Sequence, residues 1–261
     1  MGAHGGVDLR VEISGIPLKN PVLVCSGTFG NGREMSAWMD IRMLGGVMTK
    51  AVTRDPCVGN PPPRVWETPS GMLNAIGLEN KGLEKFLAED LPWLNGMGVP
   101  VWVNVAGFTV EEYVEVAQEV HRSGMASALE LNVSCPNVKK GGLHFSAEES
   151  EAARLVGGVK DAVDIPVYVK LSPRTGDLRG FAKAMVRAGA DGISLINTIP
   201  AMAVDVETAR PRLGNVTGGL SGPAVHPVAV HMVWEVAQEV DVPIIGMGGI
   251  WGGRDAVEML M

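Results

Sequence analysis

Short apolar runs alternate with longer amphipathic stretches along almost the whole chain. The runs are PVLVCSG (21–27), GGVMTKAVT (45–53), VPVWVNVAG (99–107), ALELNVSCPN (128–137), IPVYVKLSP (165–173), GISLINT (192–198) and VPIIGMGGI (242–250). Their β-branched content, bounded by Gly and Pro, predicts strands. Between them lie REMSAWMDI, LEKFLAEDLPWL, VEEYVEVAQEVHRSG, SAEESEAARLVGGVKDAV, LRGFAKAMVRAGA and HPVAVHMVWEVAQEV, which predict helices. In VEEYVEVAQEV the spacing sets Val110, Tyr113, Val114 and Ala117 on one helical face and the acids on the other. Ser146, followed three residues later by Glu149, predicts a capping box for the helix after the fourth strand. DLRVEISGIPLKN, ahead of the first run, predicts a short hairpin placed as a plug beneath a barrel.

Seven βα units in strict alternation imply a parallel sheet, either closed as a barrel or open with helices on both faces. Alternation within the strands favours the barrel. Val99, Val101, Val103 and Val105 share one face, and Trp102 and Asn104 the other. Leu129, Leu131 and Val133 oppose Glu130, Asn132 and Ser134; Val167, Val169 and Leu171 oppose Tyr168, Lys170 and Ser172. One face meets helices, and the other turns polar toward its C-terminal end. An open sheet would bury those polar groups under helices, whereas a barrel gathers them at the rim where such folds keep their active sites. The expected fold is α/β, a (β/α)8 TIM barrel in one domain over 1–261 with a short N-terminal hairpin. The chain stops inside the seventh helix with no eighth strand, so the barrel is expected to lack its C-terminal end.

Composition narrows the class. At 261 residues and 46% hydrophobic content the chain can bury a large core. The 34 glycines exceed the ~7% average usage without a collagen-like period, as expected where backbone approaches a ligand closely. A net charge of −7 argues against nucleic acid or an acidic membrane surface as partner. No apolar run has the length of a membrane span, and MGAHGG does not read as a signal peptide. Three widely spaced cysteines, Cys25, Cys57 and Cys135, give neither a disulfide framework nor a zinc site, which makes a reducing cytoplasm the expectation and a metal unexpected.

Lys50, Asn104, Asn132 and Lys170 fall near the C-terminal ends of four separate strands. Burying them without partners would cost a few kcal/mol each, so their convergence calls for a ligand. Two ammonium groups and two carboxamides suit a planar, hydrogen-bonding, electron-rich ring such as a flavin. Gly248 and Gly249, in IIGMGGI ahead of WGGRDAVEML, can present N–H groups to a phosphate at a helix N-terminus, and Gly222 can approach it from the sixth loop. In SGMLNAIGLEN (70–80), Asn74 offers an amide and Gly77 and Leu78 offer backbone N–H groups to a carboxylate; Asn197 and Thr198 are similar candidates. Cys25 reads as a small buried hydrophobe, and Cys57 has no assigned role. Cys135 lies after a strand, before Pro136 and near Lys139 and Lys140, where its thiol suits either a nucleophile or a base.

NVSCPNVKKGG, together with NPVLVCSGTFG, GGVMTKAVT, GNPPPRVWETPSGMLNAIGLEN, VNVAG, YVKLSP, INT, GGLSG and GMGGI, closely resembles dihydroorotate dehydrogenase of class 1, in order over almost the whole chain. NVSCPNVKKGG and the GNPPPR…GMLN…IGLEN stretch resemble the class 1B catalytic subunit, and Cys135 stands where class 2 enzymes carry serine. The resemblance implies oxidation of (S)-dihydroorotate to orotate in pyrimidine (UMP) biosynthesis. By that resemblance, hydride passes from C6 to N5 of FMN while Cys135 removes the C5 proton. It implies a substrate site of Lys50, Asn74, Ile76, Gly77, Leu78, Asn132, Asn197 and Thr198. The FMN site it implies comprises Ser26, Gly27, Lys50, Ala51, Asn104, Asn132, Lys170, Ile196, Gly222, Gly248 and Gly249. It also implies a partner subunit carrying FAD and a 2Fe–2S cluster that passes electrons to NAD+, in a heterotetramer of two catalytic and two electron-transfer subunits. A further Gly-Thr phosphate contact of the family lies beyond the last residue, so weak FMN binding by this chain is expected. Two rivals share the barrel: the pyrimidine-reducing part of a dihydropyrimidine dehydrogenase, and a phosphosugar aldolase or isomerase with Lys170 as Schiff-base amine. A non-catalytic remnant is the third.

Overall fold

The computed structural model describes residues 7–133 and 148–261. Seven strands form one parallel sheet whose spatial order follows the chain: Leu23–Val24, Gly46–Met48, Val101–Val105, Ala128–Leu131, Val167–Lys170, Gly192–Leu195 and Ile244–Gly246. The registers bring inward positions level with one another, Asn104 beside Glu130 and Lys170 beside Ser194.

The sheet is strongly curled, as packing on its inner face requires. Met48, Trp102, Ala128, Tyr168 and Ile245 cluster there, although they come from the second, third, fourth, fifth and seventh strands. In a flat sheet the second and seventh strands would lie about 24 Å apart, five spacings of ~4.8 Å. Trp102 and Tyr168 meet edge to face with centroids 6.2 Å apart. Beneath them the antiparallel hairpin Val11–Ile13/Ile16–Leu18 inserts Leu18, which is buried, while Ile13 and Ile16 pack alongside. The expected plug is therefore present. The outer face, with Val47, Val101, Val103, Leu129, Leu131, Val167, Val169 and Ile193, forms the larger core against the helices.

Helix Val110–Arg122 starts at Thr109, whose hydroxyl accepts the Glu112 N–H. It buries Val110, Tyr113, Val116, Ala117 and Val120, with Val114 at the margin of the same core. Helices Glu149–Lys160, Leu178–Arg187, His226–Ala237 and Gly253–Leu260 follow their strands as the pattern predicts. The segment LEKFLAEDLPWL forms a continuous helical stretch, Leu83–Lys85, Phe86–Asp90 and Leu91–Asn95, with a π turn in the middle.

Two expectations need correction. REMSAWMDI forms only two 3-10 turns, Met35–Ala37 and Ile41–Met43. The Ser36 hydroxyl donates to the Arg33 carbonyl and the Asp40 carboxylate accepts from the Arg42 N–H, so side chains close local turns in place of a helical ladder. The capping box also fails: helix Glu149–Lys160 begins with Glu149 as its first residue, one after the uncapped Glu148, and Ser146 lies outside the described residues. Two Gly-rich segments, SGMLNAIGLEN (70–80) and GNVTGGLSGPAVHP (214–227), extend the rim. Each contributes a strand to an antiparallel sheet ordered Ile199–Ala201, Gly218–Ser221, Gly71–Asn74 and Val65–Thr68. Leu73, Ala75 and Leu213 form its own small core. Because its strands leave the C-terminal ends of the second and sixth barrel strands, this sheet belongs to the functional rim.

Candidate active site

Where the inward faces reach the rim, one carboxylate organises the polar side chains. Glu130 is fully buried. Its Oε1 accepts from Ser26 Oγ at 2.6 Å and from Asn104 Nδ2 at 2.5 Å, and its Oε2 accepts from Ser194 Oγ at 2.7 Å. Lys170 Nζ donates to Ser26 Oγ at 2.8 Å and stands 3.8 Å from Glu130 Oε1. Lysine, serine and carboxylate thus form a directed chain of donors that ends in the anion. A buried charge needs such a partner set, since a lone carboxylate there would be strongly destabilising.

The arrangement fixes the Asn104 amide. A carboxylate only accepts, so the NH2 group turns toward it and Oδ1 turns away. That oxygen is buried and has no hydrogen-bond partner among the described residues. The site therefore offers an unused acceptor near a cation, which suits a planar ligand with an N–H edge and an electron-rich edge. Beside it, burial pushes the Cys25 thiol up; Lys170 pulls it back and Glu130 reinforces the rise, so Cys25 stays neutral.

A second group lies at the seventh strand. Gly249 has φ +63°, and a Cβ there would fall 2.6 Å from the Gly222 carbonyl oxygen and 2.8 Å from the His226 nitrogen. Only glycine allows both the left-handed backbone and this approach. Ile196 packs near Gly248, and His226 Nδ1 lies 2.9 Å from the Gly248 carbonyl. The turn thus faces the start of helix His226–Ala237. The expectation tied it instead to the start of helix Gly253–Leu260, but there the Trp251 and Gly252 N–H groups are already taken by Asp255 Oδ2.

The third group sits in the rim sheet. Asn74 Nδ2 reaches the Gly219 carbonyl at 3.4 Å, and a Cβ on Gly219 would strike Thr198 Oγ1, so Asn74 and Thr198 approach the same glycine. Asn197 Oδ1 accepts the Thr198 N–H at 2.8 Å. Ile76, Gly77 and Leu78 form a turn held from below. The Ile76 carbonyl accepts the Asn60 N–H, Gly77 packs on Asn60, and the Leu78 carbonyl accepts from Asn80 Nδ2 at 2.8 Å. Cys57 Sγ donates to the Gly77 carbonyl at 3.4 Å, which gives this cysteine a structural place.

Lys50 is positioned through its backbone: its N–H is shared by the Gly30 carbonyl and Asn31 Oδ1, and Asn31 is anchored on the buried Asp90. Its ammonium pairs with Glu79, rather than joining the Glu130 cluster. Ala51 is buried, Gly27 follows Ser26 with φ +84°, and the Asn132 carbonyl accepts the Tyr113 hydroxyl at 2.8 Å. Cys135 lies outside the described residues.

Sequence reading missed Glu130, Ser194, Glu79, Asn80 and His226. Glu130 carried a usable signal, because an acid inside ALEL on the inward face can be accommodated only by donors from neighbouring strands.

The fold and this rim define a (β/α)-barrel protein with its polar groups gathered at the C-terminal ends of the strands. The sequence profile described as dihydroorotate dehydrogenase matches residues 8–261. Among curated relatives, the catalytic subunit of dihydroorotate dehydrogenase B (NAD(+)) from Geobacillus kaustophilus (strain HTA426) is 55% identical over 250 residues, 96% of this chain and 80% of that protein. Subunits of the same name from Bacillus caldolyticus and Bacillus cytotoxicus are 54% and 53% identical, each over 96% of this chain, and over 80% and 81% of their own lengths. The chain belongs to the dihydroorotate dehydrogenase family, a family of flavin-dependent oxidoreductases.

Proposed function

We propose that this chain is an FMN-binding catalytic subunit that oxidises (S)-dihydroorotate to orotate in pyrimidine biosynthesis. The observation that carries the cofactor reading is the buried Asn104 Oδ1, without a hydrogen-bond partner among the described residues, in the cluster that holds Lys170. The residues fit the group. Asn104 Oδ1 suits the ring N–H, Lys170 and Ser26 suit its electron-rich edge, and Gly222, Gly248 and Gly249, drawn together at the start of helix His226–Ala237, would hold its phosphate. Gly27, Lys50, Ala51, Asn132 and Ile196 complete the set.

FMN, when bound, supplies the acceptor for the hydride leaving C6 of dihydroorotate. The rest of the work belongs to the protein. Cys135 takes the C5 proton as general base. Asn74, Asn132, Asn197 and Thr198 hold the amide edges of the substrate, and the N–H groups of the Ile76–Leu78 turn and the Lys50 ammonium hold its carboxylate. The aldolase reading is disfavoured because the Lys170 ammonium already donates to Ser26 beside the buried Glu130 carboxylate. Electrons leave through a separate subunit carrying FAD and a 2Fe–2S cluster, on to NAD+, in a cytoplasmic heterotetramer of two and two. Among the described residues no helix is long and apolar enough to cross a membrane.

The test is an absorbance spectrum of the purified protein with FMN, before and after anaerobic dihydroorotate. Bleaching of the flavin band by dihydroorotate and not by dihydrouracil is expected. Absence of flavin uptake, or preferential reduction by dihydrouracil, would overturn the reading.

A further inference from the structure

We propose that Glu130 is the positioning residue of the flavin site, setting both the polarity of the Asn104 amide and the effective charge of Lys170. The inference rests on the FMN reading above. Both Glu130 oxygens are engaged by protein donors, Oε1 by Ser26 and Asn104 and Oε2 by Ser194, so the residue acts through its neighbours.

Its placement follows from the sheet. Glu130 is level with Asn104 on one side and Tyr168 on the other, and Lys170 is level with Ser194 one strand further. The inward side chains of adjacent strands therefore meet in one layer, where a carboxylate can receive all of them. A glutamine would carry two N–H donors of its own. It could satisfy Asn104 Oδ1 from below and free the asparagine to turn, so an anion at 130 is what keeps that oxygen available to a ring N–H.

Charge gives the second effect. Flavin reduction places negative charge on the ring, and a nearby ammonium favours it. Glu130, 3.8 Å from Lys170 Nζ and linked to it through Ser26, offsets part of that attraction. Glu130→Gln leaves the ammonium uncompensated, so the site should prefer reduced FMN more strongly than the wild type does.

The test measures the affinities of oxidised and reduced FMN, by fluorescence and anaerobic titration, for wild type and Glu130→Gln. The ratio of the two dissociation constants reports the potential of bound relative to free flavin, a quantity that a merely structural residue would not move. A shift of about tenfold or more toward the reduced form is expected; an unchanged ratio overturns the inference. If Glu130→Gln does not fold, Glu130→Gln/Lys170→Met decides. Recovery of folding in this double variant supports counter-charge to Lys170, because removing both ions costs less than orphaning one. An unfolded double variant overturns it. A wild-type chain that takes up no FMN overturns the cofactor reading and this inference with it, whereas FMN uptake with an unchanged ratio removes this inference alone.

Discussion

Ser14 Oγ and Tyr168 OH lie 2.6 Å apart although 154 residues separate them, and this contact ties the hairpin plug to the inner face of the fifth strand. Burial is the main cause that pushes the Tyr168 phenol up, to about 12 from its ordinary 10.0; Ser14 moderates the rise and Asp191 adds to it. The folded state then holds this proton more tightly than the unfolded chain. The stabilisation is complete below the unfolded value near 10 and is lost as pH climbs through about 12, with a ceiling of about 2.7 kcal/mol. Urea unfolding of wild type and Tyr168→Phe at about pH 9 and about pH 11.5 checks this. The wild type should lose more stability between the two than the variant, and equal losses would refute it.

Gly249→Ala is expected to destabilise the protein by about 1–3 kcal/mol and to weaken FMN uptake, because the new methyl must meet the Gly222 carbonyl oxygen and the His226 nitrogen. Thermal unfolding with and without FMN, together with a fluorescence titration, separates the two effects. A variant as stable and as flavin-avid as wild type would show that the turn can move aside.

Cys135→Ala should retain bound flavin yet slow dihydroorotate-driven reduction by at least about a hundredfold, the scale of a lost general base. Stopped-flow absorbance reads this directly. Wild-type rates would leave the base unassigned.

Asn80 holds the Leu78 turn from several directions: Nδ2 donates to Thr53 Oγ1 and the Leu78 carbonyl, both at 2.8 Å, and Oδ1 accepts the Gly82 N–H at 2.8 Å. Asn80→Ala should cost about 1–3 kcal/mol from the buried groups left behind. It should also raise KM for dihydroorotate with kcat and flavin content little changed, since the loosened turn belongs to the proposed carboxylate site. Steady-state kinetics beside a chemical denaturation curve checks both, and an unaltered KM would detach this turn from substrate binding.

Much of the barrel was legible because its signal is local. Val101, Val103 and Val105 against Trp102 and Asn104 is a period of two, and the structure keeps the two sets on opposite faces. The rim sheet was not legible, since Gly71–Asn74 pairs with Gly218–Ser221 from across the sequence and both strands carry glycines that imitate loop composition. Of the candidate site, Ser26, Asn104 and Lys170 meet in one hydrogen-bonded cluster, and Ile196, Gly222, Gly248 and Gly249 lie around one turn. The inward acid in ALEL announces that donors must surround it, but not which residues supply them. Its meaning depends on donors supplied by Ser26 and Ser194, far away in the chain.

The strand Gly71–Asn74 is flanked by Val65–Thr68 and Gly218–Ser221, so two insertions about 145 positions distant are yoked into a single lintel. Its pairing closes a long loop, an entropic cost that the pairs between successive barrel strands carry to a lesser degree. Once seated, it sets Asn74 and Thr198 against one and the same residue, Gly219, whose lack of a side chain makes room for Thr198.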